Sequence, residues 1–297
     1  MSLQMKKRVF VSSFLLVPLA LYAMFVLYPT FKLFQLSFTD WNGLDGARWI
    51  GLDNYREVVQ SKEVWVSLRN NLIYFLTGLV GVAFSLFLAV LLTGKLRFAK
   101  GFRSIVFAPF ILNATAVSFM FGFLYETESG AINVALRALG LGFLEQRWLS
   151  DPSVVNVSLA LIVVWKTVGF YMVILIAALQ SIPDDLYEAA VIDGAGRWQS
   201  FRFITLPCIS DIAKLSVFLV FTGSVQTFEQ PFLLTGQGGP GYASMTFALY
   251  SVHEAFQFSR YGLASAMAVV LIAIVLVVQL TQHILVREKG DNHEDFK

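Results

Sequence analysis

Residues 188–207 read EAAVIDGAGRWQSFRFITLP and separate two long apolar runs. The segment is polar and patterned: it holds two carboxylates, two arginines and two closely spaced glycines. Gly194 and Gly196 would each weaken a continuous helix by about 1 kcal/mol. The pattern therefore predicts two short helices with a turn or bend at the glycines, held between two longer apolar helices.

The composition around this segment is that of a membrane protein. Of 297 residues, 57% are hydrophobic and 14% are charged, whereas about 25% are charged in a soluble domain. The mean hydropathy is +0.67, which is typical of a polytopic membrane protein. The single Cys208 excludes a disulfide within the chain, and the histidines are too far apart for metal-ligand spacing. No metal site is expected.

Six runs are long enough to cross a bilayer, which takes about 20 mostly apolar residues. Because backbone groups in lipid must satisfy their own hydrogen bonds, each run is predicted to be a helix. The fold class is therefore all-α, with six transmembrane helices, and Pro18 and Pro29 should kink the first span or end it early. The predicted spans are about 10–36, 68–92, 105–125, 154–180, 212–234 and 262–285, within a membrane domain of residues 10–285.

The distribution of Lys and Arg predicts the orientation of these spans. If both termini are cytoplasmic, the inner segments hold 12 Lys and Arg in 64 residues, and the outer loops hold 6 in 86. The stretch KLRFAKGFR at 95–103 is the clearest inner marker, with four positive charges and no acid. The inner segments are then 1–9, 93–104, 181–211 and 286–297, and the outer loops are 37–67, 126–153 and 235–261.

The inner segment 181–211 has the character of a docking element. Its alanines, which include Ala189, Ala190 and Ala195, are expected to form a small apolar face that another surface can approach closely. Asp193 and Arg197 are four residues apart and are expected to pair. The segment has two arginines, Arg197 and Arg202, and four acids between positions 184 and 193, so it suits an anionic lipid surface poorly. Docking onto a protein partner is favoured, and a plain structural loop remains the alternative.

The defined positions of this segment resemble a known motif. EAA, three residues, Gly194, nine residues and then Ile204-x-Leu206-Pro207 are similar to the EAA loop of ABC-importer permeases. In that family the loop is a coupling helix that seats in a cleft of the ATPase subunit and transmits its closure. The resemblance implies that Glu188 and Gly194 are the central coupling residues. It implies that the flanking ones are Ala189, Ala190, Asp193 and Ala195.

Other stretches resemble the carbohydrate-uptake branch of these permeases, with its maltose-type and glycerol-phosphate-type members. They are SFTDWNG at 37–43, WIGLDNY at 49–55, FEQPFLLTGQGGPG at 228–241 and AFQFSRYGLASAMAVVL at 255–271. The resemblance implies a sugar or oligosaccharide permease of a bacterial or archaeal inner membrane. It also implies a second permease subunit, two ATPase subunits and an extracytoplasmic binding protein as partners. A polyol or glycerol-phosphate-type solute remains open, and no nucleic acid is expected.

The chain lacks the GxxxxGK[ST] loop that cradles phosphates, and the string LTGKL at 92–96 does not fit it. We therefore expect this chain to be a transport subunit without a cofactor, with ATP and Mg²⁺ held by a separate ATPase. The alternatives are an ion-gradient transporter and a membrane scaffold. The former usually shows internal repeats and broken midplane helices, and no repeat is found. The latter leaves the polar segment without a purpose.

Polar and aromatic residues within the spans are candidates for a solute pathway. Lys166 lies mid-span, where a charge costs about 2.5–3.5 kcal/mol, so it should face protein or water. It either contacts solute or pairs with an acid on a neighbouring helix or on a partner permease. Polar side chains of the fifth span line the pathway, bond between helices or sit at the outer interface. For each aromatic candidate, packing between helices is the alternative to contact with solute. The pathway candidates are Trp165, Lys166, Phe170, Tyr171, Gln226 and Glu229, with Thr227 beside them and Asn113 as a weaker one.

Overall fold

A computed structural model describes residues 3–44, 46–94 and 97–294, with side-chain positions given between residues 13 and 282. Over these residues the fold is helical, and its one isolated β-bridge joins Thr39 to Trp49. The predicted all-α class is confirmed. Lys95 and Leu96 of the basic loop, and the extreme residues of both predicted tails, lie outside the described residues.

Fifteen α-helices follow one another along the described chain, joined by two π-turns, Ala23–Leu27 and Phe201–Thr205, and one 3₁₀ turn, Gly142–Leu144. They are α1 (Leu3–Tyr22), α2 (Tyr28–Leu36), α3 (Asp53–Gln60), α4 (Lys62–Thr93), α5 (Ala99–Ile111), α6 (Ala114–Leu124), α7 (Ala131–Ala138), α8 (Val155–Gln180), α9 (Asp184–Ile192), α10 (Arg197–Ser200), α11 (Leu206–Cys208), α12 (Ser210–Val225), α13 (Glu229–Leu234), α14 (Phe247–Phe256) and α15 (Tyr261–Glu294).

Four stretches are long and apolar enough to cross a membrane as single helices: Ser13–Leu36, Lys62–Thr93, Val155–Gln180 and Tyr261–Gln282. Two further runs qualify only as bent pairs. α5 and α6 meet at 98°, and the Arg197–Cys208 and Ser210–Leu234 segments meet at 69°. Counting each bent pair once gives the six predicted spans. The prediction of one continuous helix is wrong for the third and fifth.

The break in the third span follows from its sequence. Leu112 is extended, which ends α5 shortly after Pro109. Asn113 then caps α6, because its side-chain oxygen accepts hydrogen bonds from the N–H groups of Thr115 and Ala116 at 2.9 and 3.2 Å. Asn113 is therefore a helix cap, and its prediction as a pathway residue is not supported by this position. In the fifth span, residues 226–228 separate α12 from α13, and we call them the fifth-span break.

Two prolines account for the two π-turns. Pro29 and Pro207 each follow a five-residue π-turn at the second residue after it. Proline has no N–H to donate, and its ring clashes with the carbonyl four residues earlier. A wider turn just before the proline relieves this clash while the helix continues. The first span therefore does not end early: it runs through Pro18 and Pro29 to Leu36.

The chain divides into two compact units, which are described separately. The first contains residues up to Ser61 together with 251–273, and includes α1 to α3. The second contains residues 62–250 with 274 onward. In the second, α4 packs along most of α8, α5 packs on α8, and α12 packs on α4. Ser85 of α4 donates to the carbonyl of Val168 on α8 at 3.0 Å.

Gly169 allows α5 and α8 to approach closely. A Cβ atom at this position would lie 2.2 Å from the carbonyl oxygen of Val106 and 2.6 Å from the Cα of Phe107. Both are backbone atoms, so a rotamer change cannot remove the overlap. Only a shift of one helix could accommodate a larger side chain.

We predict that Gly169→Ala destabilises the protein by about 1–3 kcal/mol, the usual cost of overpacking that moves backbone. Gly223→Ala in α12 is the control, because among the described residues no atom lies within 4 Å of the position of its Cβ. Thermal unfolding of both variants in detergent measures the difference. Equal melting temperatures would contradict the close-contact role.

Candidate functional site

The polar segment folds as two short helices joined by a tight turn, as predicted. α9 begins after Pro183, and Asp184 and Asp185 in its first turn suit the helix dipole. At its end, Gly194 has a φ of +80°. The N–H of Ala195 donates to the carbonyl of Ala190 at 2.8 Å, and that of Gly194 donates to Val191 at 3.1 Å. This is a Schellman motif, which requires a left-handed residue such as glycine.

Gly196 begins the second short helix. Its backbone is extended, with φ −74° and ψ 167°, and its N–H donates to the side chain of Gln199 at 2.7 Å. The predicted pair of Asp193 and Arg197 is wrong: among the described residues no ion pair joins them. α9 has ended at Asp193, so the two residues do not share a helix face.

The exposed apolar face of this element differs from the one predicted. Ala190 is buried, so the three alanines do not form one exposed face. Val191, Ile192 and Trp198 are instead exposed, by 71, 85 and 70%. Larger side chains therefore form the apolar surface, and Ala190 anchors α9 from within. Glu188, Ala189, Asp193 and Gly194 are exposed beside them, and Ala195 is half-buried.

The fifth-span break leaves backbone groups that need partners, and buried side chains supply them. The side-chain N–H of Asn71 donates to the carbonyl of Ser224 at 2.6 Å, and its oxygen accepts from the N–H of Phe247 at 2.8 Å. The hydroxyl of Thr246 donates to the carbonyl of Thr227 at 2.6 Å. The bonds to Ser224 and Thr227 supply donors to carbonyls at the break. The bond from the Phe247 N–H joins the first residue of α14 to α4.

Two more asparagines extend this network. Asn70 donates to the carbonyl of Met245 at 2.9 Å, and Asn156 donates to that of Ala243 at 2.6 Å and to Asn70 at 3.2 Å. We call Asn70, Asn71 and Asn156 the asparagine cluster. All three are buried. The sequence analysis missed this cluster, although asparagines within long apolar runs signal bonds between helices.

The fourth-span candidates divide by their surroundings. Lys166 is half-buried, and no carboxylate of the described residues lies within ion-pair distance of it. Among the described residues, Lys166 therefore has no acidic partner in an ion pair. Trp165 is 39% exposed, with its ring against Phe121. Phe170 stacks on Phe110 at 4.6 Å.

Tyr171 is buried in a small cluster with Val82 and Val220. Packing against the chain's own helices accounts for this ring and for the stacked Phe170. Trp165, Lys166 and Phe170 keep some accessible surface, whereas Tyr171 is buried.

At the fifth-span break, Gln226 and Glu229 are both exposed, whereas Thr227 is buried and its hydroxyl donates to the carbonyl of Gly223 at 3.0 Å. Thr227 therefore has a structural role. The run GQGGPG at 236–241 forms a tight turn, with positive φ angles of 54–102° at Gly236, Gln237, Gly238 and Gly241.

In the first unit, charged pairs order the predicted outer loop. Arg48 hydrogen-bonds to Asp40 through its backbone N–H and its guanidinium, which holds the pKa of that carboxyl below its usual range. Arg260 donates to both oxygens of Glu57 and lies 3.3 Å from Glu254. These contacts give the loop a defined surface.

Residues 66–290 match the family described as the binding-protein-dependent transport system inner membrane component. The chain belongs to this family. The resemblance inferred from the EAA segment is thereby confirmed, as is a place in the inner membrane. Broken spans, which the sequence analysis associated with ion-driven carriers, also occur in this permease.

Individual relatives match over nearly the whole permease. The probable ABC transporter permease protein YurN of Bacillus subtilis is 36% identical over 271 residues, covering 90% of this chain and 92% of that protein. The diacetylchitobiose uptake system permease protein NgcF of Streptomyces coelicolor is 32% identical, covering 97% and 85%. A solved bacterial ABC transporter that imports the acidic polysaccharide alginate aligns with a TM-score of 0.82 and 25% identity, covering 96% and 97%.

We predict that Asn71→Leu destabilises the permease, because it leaves the buried Phe247 N–H without its partner, at a cost of about 1–3 kcal/mol. It also removes one donor from the Ser224 carbonyl, which keeps the Thr227 N–H at 3.4 Å. Gln226→Leu is the control, since Gln226 lies in the same region but is exposed. Thermal unfolding of the purified complex compares the two. If both variants unfold at the wild-type temperature, the asparagine cluster does not support the break.

Proposed function

We propose that this chain is the permease subunit of an ATP-driven, binding-protein-dependent importer for a sugar or oligosaccharide. The observation that carries the proposal is the family match over residues 66–290 combined with a folded two-helix element at the EAA segment. Relatives named for diacetylchitobiose and alginate support a carbohydrate. A polyol or glycerol-phosphate-type solute is the alternative within the same mechanism.

The exposed face of α9 and α10 is the proposed docking site for a separate ATPase subunit. Val191, Ile192 and Trp198 offer aromatic and aliphatic anchors of the kind that dominate protein interfaces. The carboxylates of Glu188 and Asp193 border them. Gly194 provides the turn that presents both helices together. In this scheme ATP and Mg²⁺ are bound by the ATPase, and the permease hydrolyses nothing.

Closure of the ATPase pair would move this element and change the arrangement of the spans, which gives alternating access. A loaded binding protein would deliver the solute to the outer loops 37–67, 126–153 and 235–261, with both termini of the permease in the cytoplasm. A second permease subunit would complete the pathway. Its proposed lining on this chain is Trp165, Lys166, Gln226 and Glu229, which are accessible polar or aromatic groups within the spans.

We predict that Gly194→Ala impairs coupling, because an L-residue with a side chain costs about 1–2 kcal/mol in the left-handed region. Gly194→Asn should be milder, since asparagine tolerates this conformation. Gly196→Ala is the matched control: its φ is −74°, and its Cβ would meet Gln199 at an ordinary 3.6 Å. ATP-dependent uptake into proteoliposomes should rank Gly196→Ala above Gly194→Asn, and Gly194→Ala lowest. Equal uptake in all three contradicts the turn's role.

The whole proposal is tested by gentle purification of the tagged chain from its native membrane. An ATPase, a second permease and a binding protein should accompany it. The complex, placed in liposomes, should then take up a carbohydrate from a panel of diacetylchitobiose, alginate oligosaccharides and glycerol phosphate only when ATP is supplied. Uptake by the isolated chain without ATP, driven by an ion gradient, would overturn the proposal.

A further inference from the structure

A pair of hydroxyl groups joins α9 to the beginning of the fifth span. The hydroxyl oxygens of Tyr187 and Thr205 are 2.9 Å apart, and Thr205 is buried. The Thr205 hydroxyl also donates to the carbonyl of Ser200 at 3.4 Å. Either hydroxyl can be the donor in the shorter Tyr187–Thr205 contact.

The sequence explains why these two residues meet. Tyr187 immediately precedes the EAA segment and lies on the inner side of α9. Its ring packs against the apolar cluster at the ends of α4 and α8, which includes Leu92 and Leu179. Thr205 is the last residue of the π-turn that Pro207 imposes. The position of the Thr205 hydroxyl thus depends on Pro207.

The backbone that connects α9 to α12 can bend. It passes through the turn at Gly194 and Gly196 and then through the π-turn, and π-turns often occur at functional sites. Among the described residues, the Tyr187–Thr205 bond is the side-chain hydrogen bond that links α9 to residues 197–225. Apolar packing also joins the two, since Tyr187 lies against a cluster that contains Ile209 at the start of the fifth span. That packing is non-directional, so without the hydroxyl bond α9 could slide over the cluster while the two turns bend.

A cavity beside the hydroxyl pair leaves room for α9 to move independently of the fifth span. A cavity of about 650 Å³ lies between α9, α10 and the ends of α4 and α8, and both Tyr187 and Thr205 line it. Without the hydroxyl bond, α9 could move into this cavity while α11 and α12 stayed in place. With the bond intact, a shift of α9 pulls directly on the segment that leads into the fifth span.

We propose that the Tyr187–Thr205 hydroxyl pair is the positioning contact that passes movement of the ATPase-docked α9 to the fifth span. This inference rests on the proposed coupling role of α9 and α10. Tyr187 and Thr205 act through the helices and do not contact solute or ATP. The inference requires that removal of either hydroxyl uncouples the two helices without removing the docking surface.

The test uses the complete importer in membranes and a reporter beside the fifth-span break. In a Cys208→Ser background, which removes the single cysteine, Gly223→Cys introduces a thiol at an exposed position of α12 that has room for a side chain. The rate at which a maleimide labels this thiol is measured with and without MgATP and vanadate. The reporter complex, with no substitution at Tyr187 or Thr205, should show an ATP-dependent change in this labelling rate.

Tyr187→Phe and Thr205→Val should each shrink that change roughly two- to tenfold, which corresponds to the loss of one hydrogen bond. The double variant should lose no more than either single one, because both remove the same interaction. Thr205→Ser, which keeps the hydroxyl, should restore the change. Tyr125→Phe is the matched control: its hydroxyl donates to the carbonyl of Ser158 at 3.0 Å, away from α9, and the change should persist.

The outcomes separate this inference from the proposed function. If Gly194→Ala abolishes the ATP-dependent change while Tyr187→Phe and Thr205→Val behave like Tyr125→Phe, the hydroxyl pair is not the positioning contact. If the reporter complex with Tyr187 and Thr205 intact shows no ATP-dependent change in labelling rate, the coupling role of α9 and α10 is wrong, and this inference is wrong with it.

Discussion

A helix inside a bilayer cannot leave its carbonyls and amides unpaired, because lipid offers no hydrogen-bond partners. This constraint governs the permease most strongly at the fifth-span break, where α12 ends before α13 begins. Asn71 meets it by binding the Ser224 carbonyl and the Phe247 amide with one side chain. Together with the Thr246 hydroxyl, which binds the Thr227 carbonyl, this asparagine of α4 supports the break. Gln226 and Glu229 are exposed there, within an otherwise apolar span.

Backbone geometry also ends α9, in the segment predicted to lie in the cytoplasm. The Schellman motif around Gly194 satisfies the last carbonyls of α9, so that helix can end abruptly and leave Val191 and Ile192 exposed. The π-turn before Pro207 preserves a continuous chain path where a proline would otherwise break the helix. An exposed apolar face on α9 and a continuous chain path into the fifth span result from these two local features.

Much of this could be predicted from sequence, and the remainder has a physical reason for being hidden. Run length predicts the number of spans because crossing a bilayer requires a fixed apolar length, and paired glycines predict the turn at Gly194. The breaks were missed because hydropathy does not detect a change of direction inside an apolar run. The asparagine cluster was missed because its partners lie far apart in the chain: Asn71 and Phe247 are 176 residues apart. The prediction of an exposed alanine face on α9 was wrong because helical spacing does not reveal which side of a helix packs inward.

The central claim is that the exposed face of α9 and α10 docks on an ATPase subunit. A photo-crosslinking amino acid at the exposed Trp198, compared with one at the buried Ala190, tests this most directly. In native membranes, mass spectrometry should identify an ATPase chain attached at position 198 and not at position 190. Capture of lipid alone at position 198, in cells where the importer is assembled, would contradict the claim.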